Sequence, residues 1–117
     1  MKSKIVYIAV PFSDPSMKVK LERYSMVNKV CAKLMNEGVI LFSPVTMGWS
    51  IAEATPDGLP TDWKYWQRTC TEMVRACYKI IVVMMPGWES SVGVQAEISL
   101  AKEYDLEVEY IDPKDFI

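Results

Sequence analysis

Two rhythms of apolar residues alternate along this chain. Lys4 to Val10 and Ile80 to Met85 are short, nearly unbroken runs rich in β-branched and aromatic residues, the pattern of strands buried on both faces. Pro11 ends the first run. Between such runs, apolar positions recur every three or four residues, as on one face of a helix. Val19, Tyr24, Val27, Val30, Cys31 and Leu34 predict a long helix from about Met17 to Asn36, with Gly38 placed for its C-cap. Val39 to Phe42 reads as a short second strand. Trp63, Trp66, Cys70, Met73, Val74 and Cys77 predict a second helix from Trp63 to about Cys77, with Thr61 and Asp62 available to cap it. Val92 to Tyr104 predicts a third helix and Val108 to Ile111 a fourth strand, after which Pro113 closes the tail. Ser43 to Thr61 shows no clear period. It holds Pro44, Gly48, Pro56, Gly58 and Pro60 around an apolar patch at Met47, Trp49, Ile51 and Ala52, and is expected to be a long binding loop or lid.

Continuous apolar strands that alternate with helices predict an α/β fold. The expected form is a small doubly wound parallel sheet, flavodoxin- or Rossmann-like, of four to five strands with helices on both faces. Ligands of such folds sit beyond the carboxyl ends of the strands. Here those ends are Ala9 to Phe12, Phe42 to Pro44, and Pro86 to Ser91, so three loops should converge on one cleft.

The chain has 117 residues, enough for one core, and a single domain over 1–117 is expected. A net charge of −2, with acids and bases mixed, gives no basic tract for nucleic acid. The absence of histidine removes the usual triads and most zinc sites. Three cysteines, Cys31, Cys70 and Cys77, have no metal spacing, and Cys70 and Cys77 lie two helical turns apart, too far to bridge. Reduced thiols in a cytoplasmic protein are expected. No apolar run reaches the length of a membrane span or shows the form of a signal peptide.

No GxGxxG follows the first strand and no GxxxxGK[ST] occurs, which argues against NAD held in the Rossmann manner and against P-loop ATP. No cofactor is expected. What remains is Glu89-Ser90-Ser91-Val92-Gly93 leading into a helix that carries Glu97. Serines and free amides at a helix start suit an anion, and a glycine lets backbone approach it. The same serine also serves as a plain N-cap. Val94, Ile98 and Ala101 place Glu97 toward the inner side of its helix.

Tyr7-Ile8-Ala9-Val10-Pro11-Phe12, Phe42-Ser43-Pro44, and Gly87 to Glu97 with Ala101 together resemble the nucleoside 2-deoxyribosyltransferase superfamily, which includes nucleoside 5′-monophosphate N-glycosidases. The resemblance runs over about residues 4 to 111, and the S-x-G-x-x-x-E spacing is its more specific part. It implies that Glu97 attacks the anomeric carbon of a nucleotide sugar, that Tyr7 holds Glu97, and that water or a second base resolves the glycosyl-enzyme, in line with carboxylate nucleophiles elsewhere. Ser90, Ser91 and Gly93 fit a 5′-phosphate better than a bare hydroxyl, which favours a hydrolase that frees the base. The alternatives are a deoxyribosyltransferase, a non-catalytic nucleotide-binding module, and an interaction protein that uses the Met47 to Ala52 patch.

Pro11, Phe12, Arg23, Asp62, Trp88 and Glu89 are further candidates for substrate contact. Arg23 stands where the family reaches the base or phosphate, but it also fits an ordinary helix position, as Tyr7 fits a core strand and Asp62 a cap. The family's acid near the third strand is missing from Ala76-Cys77-Tyr78-Lys79, so Asp62 and Glu89 are left to handle the leaving base. Trp49, Trp63, Trp66 and Trp88 serve equally as an aromatic wall, as core, or as an interface of a homo-oligomer, dimer or higher.

Overall fold

The computed structural model describes residues 3–116. Four strands, β1 (Val6–Ala9), β2 (Leu41–Phe42), β3 (Lys79–Val83) and β4 (Glu107–Ile111), form one parallel sheet in the order β2-β1-β3-β4. Four helices connect them: α1 (Met17–Asn36), α2 (Pro44–Ala52), α3 (Trp63–Ala76) and α4 (Val92–Glu103). Short 3-10 turns occupy Trp88–Ser90 and Pro113–Phe116. This is the doubly wound α/β arrangement, with helices on both faces.

Strand alternation sends successive side chains to opposite faces. Val6, Ile8, Ile81 and Val83 pack with Val27, Val30, Cys31 and Leu34 of α1 on one side. Tyr7, Ala9, Ile80 and Val82 pack with Cys70 and Val74 of α3 and with Val94, Ile98 and Ala101 of α4 on the other. The chain turns outward from β1 to β2 and then returns past β1 to β3. The strand order therefore reverses between β1 and β3, which puts the crevice of such a fold above their carboxyl ends.

Helix boundaries follow local chemistry. Ser16 caps α1, its hydroxyl accepting from the Val19 amide, and Gly38 takes the left-handed φ of +92° that ends it. Asp62 occupies the N-cap position of α3, but its side chain caps nothing there. The hydroxyl of Thr61 bonds that of Ser13 at 3.1 Å instead.

The stretch expected to be a loop from Ser43 to Thr61 contains α2. Pro44 at its first turn is a favoured helix start, while Gly48 in its middle, a poor helix former, hides the period. Gly48 is there for packing: a Cβ at this position would lie 3.0 Å from Cη2 of Trp66 on α3. The Thr46 hydroxyl pairs with that of Ser43 at 2.8 Å and donates to Asn28 Oδ1 at 2.6 Å, which ties α2 to α1. Tertiary contact thus overrides weak local propensity. Only Glu53 onward is irregular, up to α3. The Met47 to Ala52 patch is largely spent on this packing: Trp49 stacks on Tyr24 with ring centroids 5.2 Å apart, though Ile51 stays exposed.

Replacing Gly48 with leucine is expected to push Trp66 off α2 and to cost about 1–3 kcal/mol, as overpacking usually does. Urea unfolding would show this as a lower midpoint at unchanged slope. An unchanged midpoint would mean that α2 and α3 are not in close contact.

Candidate active site

Tyr7 lies on a central strand, in register with Phe42 on one side and Ile80 on the other, and is 0% exposed. Its odd position in β1 aims it at the α3–α4 side. There α4 presents Val94, Glu97, Ile98 and Ala101, a stripe at the i, i+3, i+4, i+7 spacing, toward the sheet. Three members of the stripe are apolar. The fourth, Glu97, is 5% exposed, and the Tyr7 hydroxyl donates to its Oε2. Among the described residues Glu97 is the one buried carboxylate.

Burial dominates the electrostatics of this pair. It raises Glu97 from an ordinary 4.5 to about 8, and the bond from Tyr7 offsets only part of the rise. Burial, followed by the neighbouring Glu97 charge, holds Tyr7 well above the usual phenol range. Cys70, packed beside Tyr7 from α3, is pushed up to about 11, chiefly by burial. Burial therefore keeps Glu97 mostly protonated near neutral pH.

The approach to Glu97 is set by the turn after β3. Gly87 has φ +94°, open to glycine at little cost, and a Cβ there would sit 2.8 Å from Nη2 of Arg23. The Ser90 hydroxyl donates to Gly87 O at 3.3 Å, and the Ser91 hydroxyl caps α4 by accepting from the Val94 amide at 3.2 Å. Of the two serines, Ser91 is the N-cap and Ser90 is exposed. Gly93 lies in the first turn of α4 facing the ring of Trp63, with a would-be Cβ at 3.7 Å.

A cavity of about 1020 Å³ opens above the sheet. It is walled by the loop after β1, by α2 and the segment after it, and by the starts of α3 and α4. Of the residues expected at the site, Pro11, Phe12, Arg23, Asp62, Ser90, Ser91, Gly93 and Glu97 line it. Tyr7 stands behind Glu97, inside the core. Trp88 and Glu89 do not line it. The 3-10 turn rotates Trp88 outward onto Tyr110, with ring centroids 5.6 Å apart, and leaves Glu89 exposed. The strand-turn-helix pattern of the sequence gives no sign of that extra turn. Trp49, Trp63 and Trp66 do line the cavity, and all four tryptophans are half-buried within one chain.

Arg23 serves first as a brace. Its guanidinium donates to Phe12 O (3.3 Å), Ser13 O (3.2 Å) and Pro86 O (3.2 Å), which joins the loops after β1 and β3. Sequence reasoning missed Lys20, Cys70, Glu53, Asp57 and Gln67, all of which line the cavity. Cys70 was legible only as an apolar helix position. Glu53 and Asp57 fell in a stretch without period. Asp14, also lining the cavity, is engaged locally, accepting from the Ser16 amide at 2.8 Å. Among the described residues no cluster of metal-ligating side chains occurs, and no helix is long and apolar enough to cross a membrane.

Fold and site together define an α/β protein with a tyrosine-supported carboxyl group at the floor of a crevice. A family model described as a domain of unknown function, DUF1937, matches residues 4–112, and the chain belongs to that family. No curated protein matches the sequence.

Because folded Glu97 binds its proton up to about pH 8 while the unfolded side chain loses it near 4.5, the folded state holds more protons between those values, and stability falls as pH rises through that window. The slope approaches about 1.4 kcal/mol per pH unit at most. Glu97→Gln is uncharged throughout, so its melting temperature should exceed that of the parent increasingly from pH 5 to pH 9 (about one unit beyond the pKa). A constant difference across this range would show that Glu97 titrates normally.

Proposed function

We propose that the protein hydrolyses the N-glycosidic bond of a nucleoside 5′-monophosphate, freeing the base and leaving a sugar phosphate. The observation that carries this reading is the buried Tyr7–Glu97 pair at the floor of a cavity large enough for a nucleotide. Its support in sequence is the resemblance of these same segments to the nucleoside 2-deoxyribosyltransferase superfamily.

In this reading the sugar rests with its anomeric carbon over Glu97, and Tyr7 fixes which carboxyl oxygen is free to attack. Ser90 and the first amides of α4 take the phosphate, where donors and the helix dipole favour negative charge. Indole faces from Trp49, Trp63 and Trp66 are at hand for the base. Glu97 must ionise to attack, so the rate should rise with pH toward the value of about 8 set by burial in the free protein. A second copy of the chain completing the assembly belongs to the same proposal.

One observation favours a rival. A glutamate so deeply buried, and kept neutral near pH 7 by that burial, also suits a non-catalytic nucleotide-binding module. A deoxyribosyltransferase differs in requiring an acceptor base.

Incubating the protein with ribo- and deoxyribonucleoside 5′-monophosphates, including 5-modified pyrimidines, should release free base, read by chromatography. Glu97→Gln should release none, and Tyr7→Phe should be slower by roughly a hundredfold, as when a preorganised donor is lost. Release only after an acceptor base is added would assign the transferase. A rise in melting temperature with monophosphate and no release would assign the binding module.

A further inference from the structure

A phenol has one proton to give and an oxygen that can accept. The Tyr7 proton goes to Oε2 of Glu97, and the Tyr7 oxygen is left free to accept. Cys70 enters the same buried cluster from α3 and is 4% exposed. Its thiol lies within hydrogen-bonding reach of the Tyr7 hydroxyl. Three groups from three elements, α3, β1 and α4, therefore adjoin in sequence: Cys70, Tyr7, Glu97. Glu97 and Cys70 line the cavity, and Tyr7 stands behind them. The other Glu97 oxygen, Oε1, has no hydrogen-bond partner among the described residues, and no fully buried side-chain oxygen there lacks one. Oε1 is thus the atom through which Glu97 meets the cavity.

Two orders of protons fit this chain of contacts. In the first, Cys70 gives to Tyr7 and Tyr7 to Glu97, so that any proton on Glu97 sits on Oε1. In the second, Glu97 gives from Oε2 to Tyr7 and Tyr7 gives to the sulfur, so that the Glu97 proton is locked in the core. Sulfur is a weak acceptor and a carboxyl oxygen a good one, which favours the first order. Burial holds the Cys70 proton to about 11, so the thiol stays a donor through the range around 8 where Glu97 titrates. The charged side chains that line the cavity, Lys20, Arg23, Lys64, Asp14, Glu53, Asp57 and Asp62, are half-buried or exposed. Burial and the Tyr7 bond set where Glu97 titrates.

We propose that Cys70 is a positioning residue: by donating its S–H to the Tyr7 oxygen it commits the Tyr7 proton to Oε2 and leaves Oε1 as the oxygen that ionises and attacks. The proton order stands on the contacts alone, whereas its use in attack rests on the reading of Glu97 as a glycosidic nucleophile. In this order Glu97 ionises by losing the Oε1 proton straight to the cavity, and the two buried hydrogen bonds keep their direction. In the reverse order both would have to turn over first. The thiol also strengthens its neighbour, since hydrogen bonds in a chain polarise one another in a low-dielectric interior. Tyr7 becomes the better donor, which favours the charged form of Glu97 against the cost of burial.

The carboxyl carbon resonance of Glu97, assigned by its loss in Glu97→Gln, reports the proton by NMR without any turnover. In the full chain it should titrate at about 8. Cys70→Ala removes the donor, so the midpoint should rise by about half a unit. Cys70→Ser keeps a donor, and a hydroxyl gives its proton more strongly than a thiol, so the midpoint should fall by about 0.3 unit. On the monophosphate that yields most free base, Cys70→Ala should lose about tenfold in kcat at unchanged KM, with Cys70→Ser within about threefold of the parent. A residue that only fills space would move the melting temperature and neither of these readouts. An unchanged midpoint in both variants, or the same change in both, would overturn the proton order. Shifted midpoints with a parental kcat in Cys70→Ala would overturn the positioning role. Shifted midpoints with no base from any monophosphate would overturn the glycosidase and leave the proton order standing. Should Cys70→Ala fail to melt cooperatively, Cys70→Ser decides, and a midpoint at or above the parent's would overturn the order.

Discussion

Removing a carboxyl group from water costs several kcal/mol if it stays charged and unpaired. Glu97 meets this constraint in two ways: it keeps its proton to about pH 8, and it accepts the hydroxyl of Tyr7. Tyr7 can do this because it stands on a central strand whose neighbours on both sides hold it flush. The polar floor of the crevice depends on that one contact across the sheet–helix boundary. A one-residue slip of β1 would send Tyr7 to the α1 side and leave Glu97 buried with no partner.

The loops that wall the crevice are braced by polar contacts, while α2 is packed against α1 and α3. Arg23 grips carbonyls from two loops, Gly87 makes room for its guanidinium, and one hydroxyl pair, Ser13 with Thr61, joins the loop after β1 to the approach to α3. Polar bridges of this kind fix loop positions without filling the space between them. The cavity consequently stays open above a well-packed floor, an arrangement that suits a site which must admit and release a sizeable polar ligand.

Much of this was legible in the residues. The runs around Tyr7 and Ile80 are buried strands, and α1 begins and ends where its cap and glycine place it. The spacing of Val94, Ile98 and Ala101 puts Glu97 on the inner face of α4, as found. The failures share one cause, which is that contacts distant in sequence decided the outcome. Helix α2 forms despite Gly48 because Trp66 packs where a side chain would be. Trp88 turns outward because a single 3-10 turn precedes α4 and Tyr110 of the edge strand receives its ring. Arg23, placed in the sequence like any helix residue, is drawn to three carbonyls that no local pattern connects.

By itself the sequence determined the four strands, the helices α1, α3 and α4, and the class of fold, because strand and helix periodicities and their end signals are local and repeat often enough to be read. It also determined which residue could be an inward carboxylate. The resemblance implied that Tyr7 meets Glu97, and the fold makes that contact; tertiary structure alone decided that Cys70 stands beside them and that Glu53, Asp57 and Lys20 share one cavity. Tyr7 and Glu97 are joined only by strand order and register. The depth of burial that keeps a proton on Glu97 is a property of the packed interior as a whole and of no segment within it.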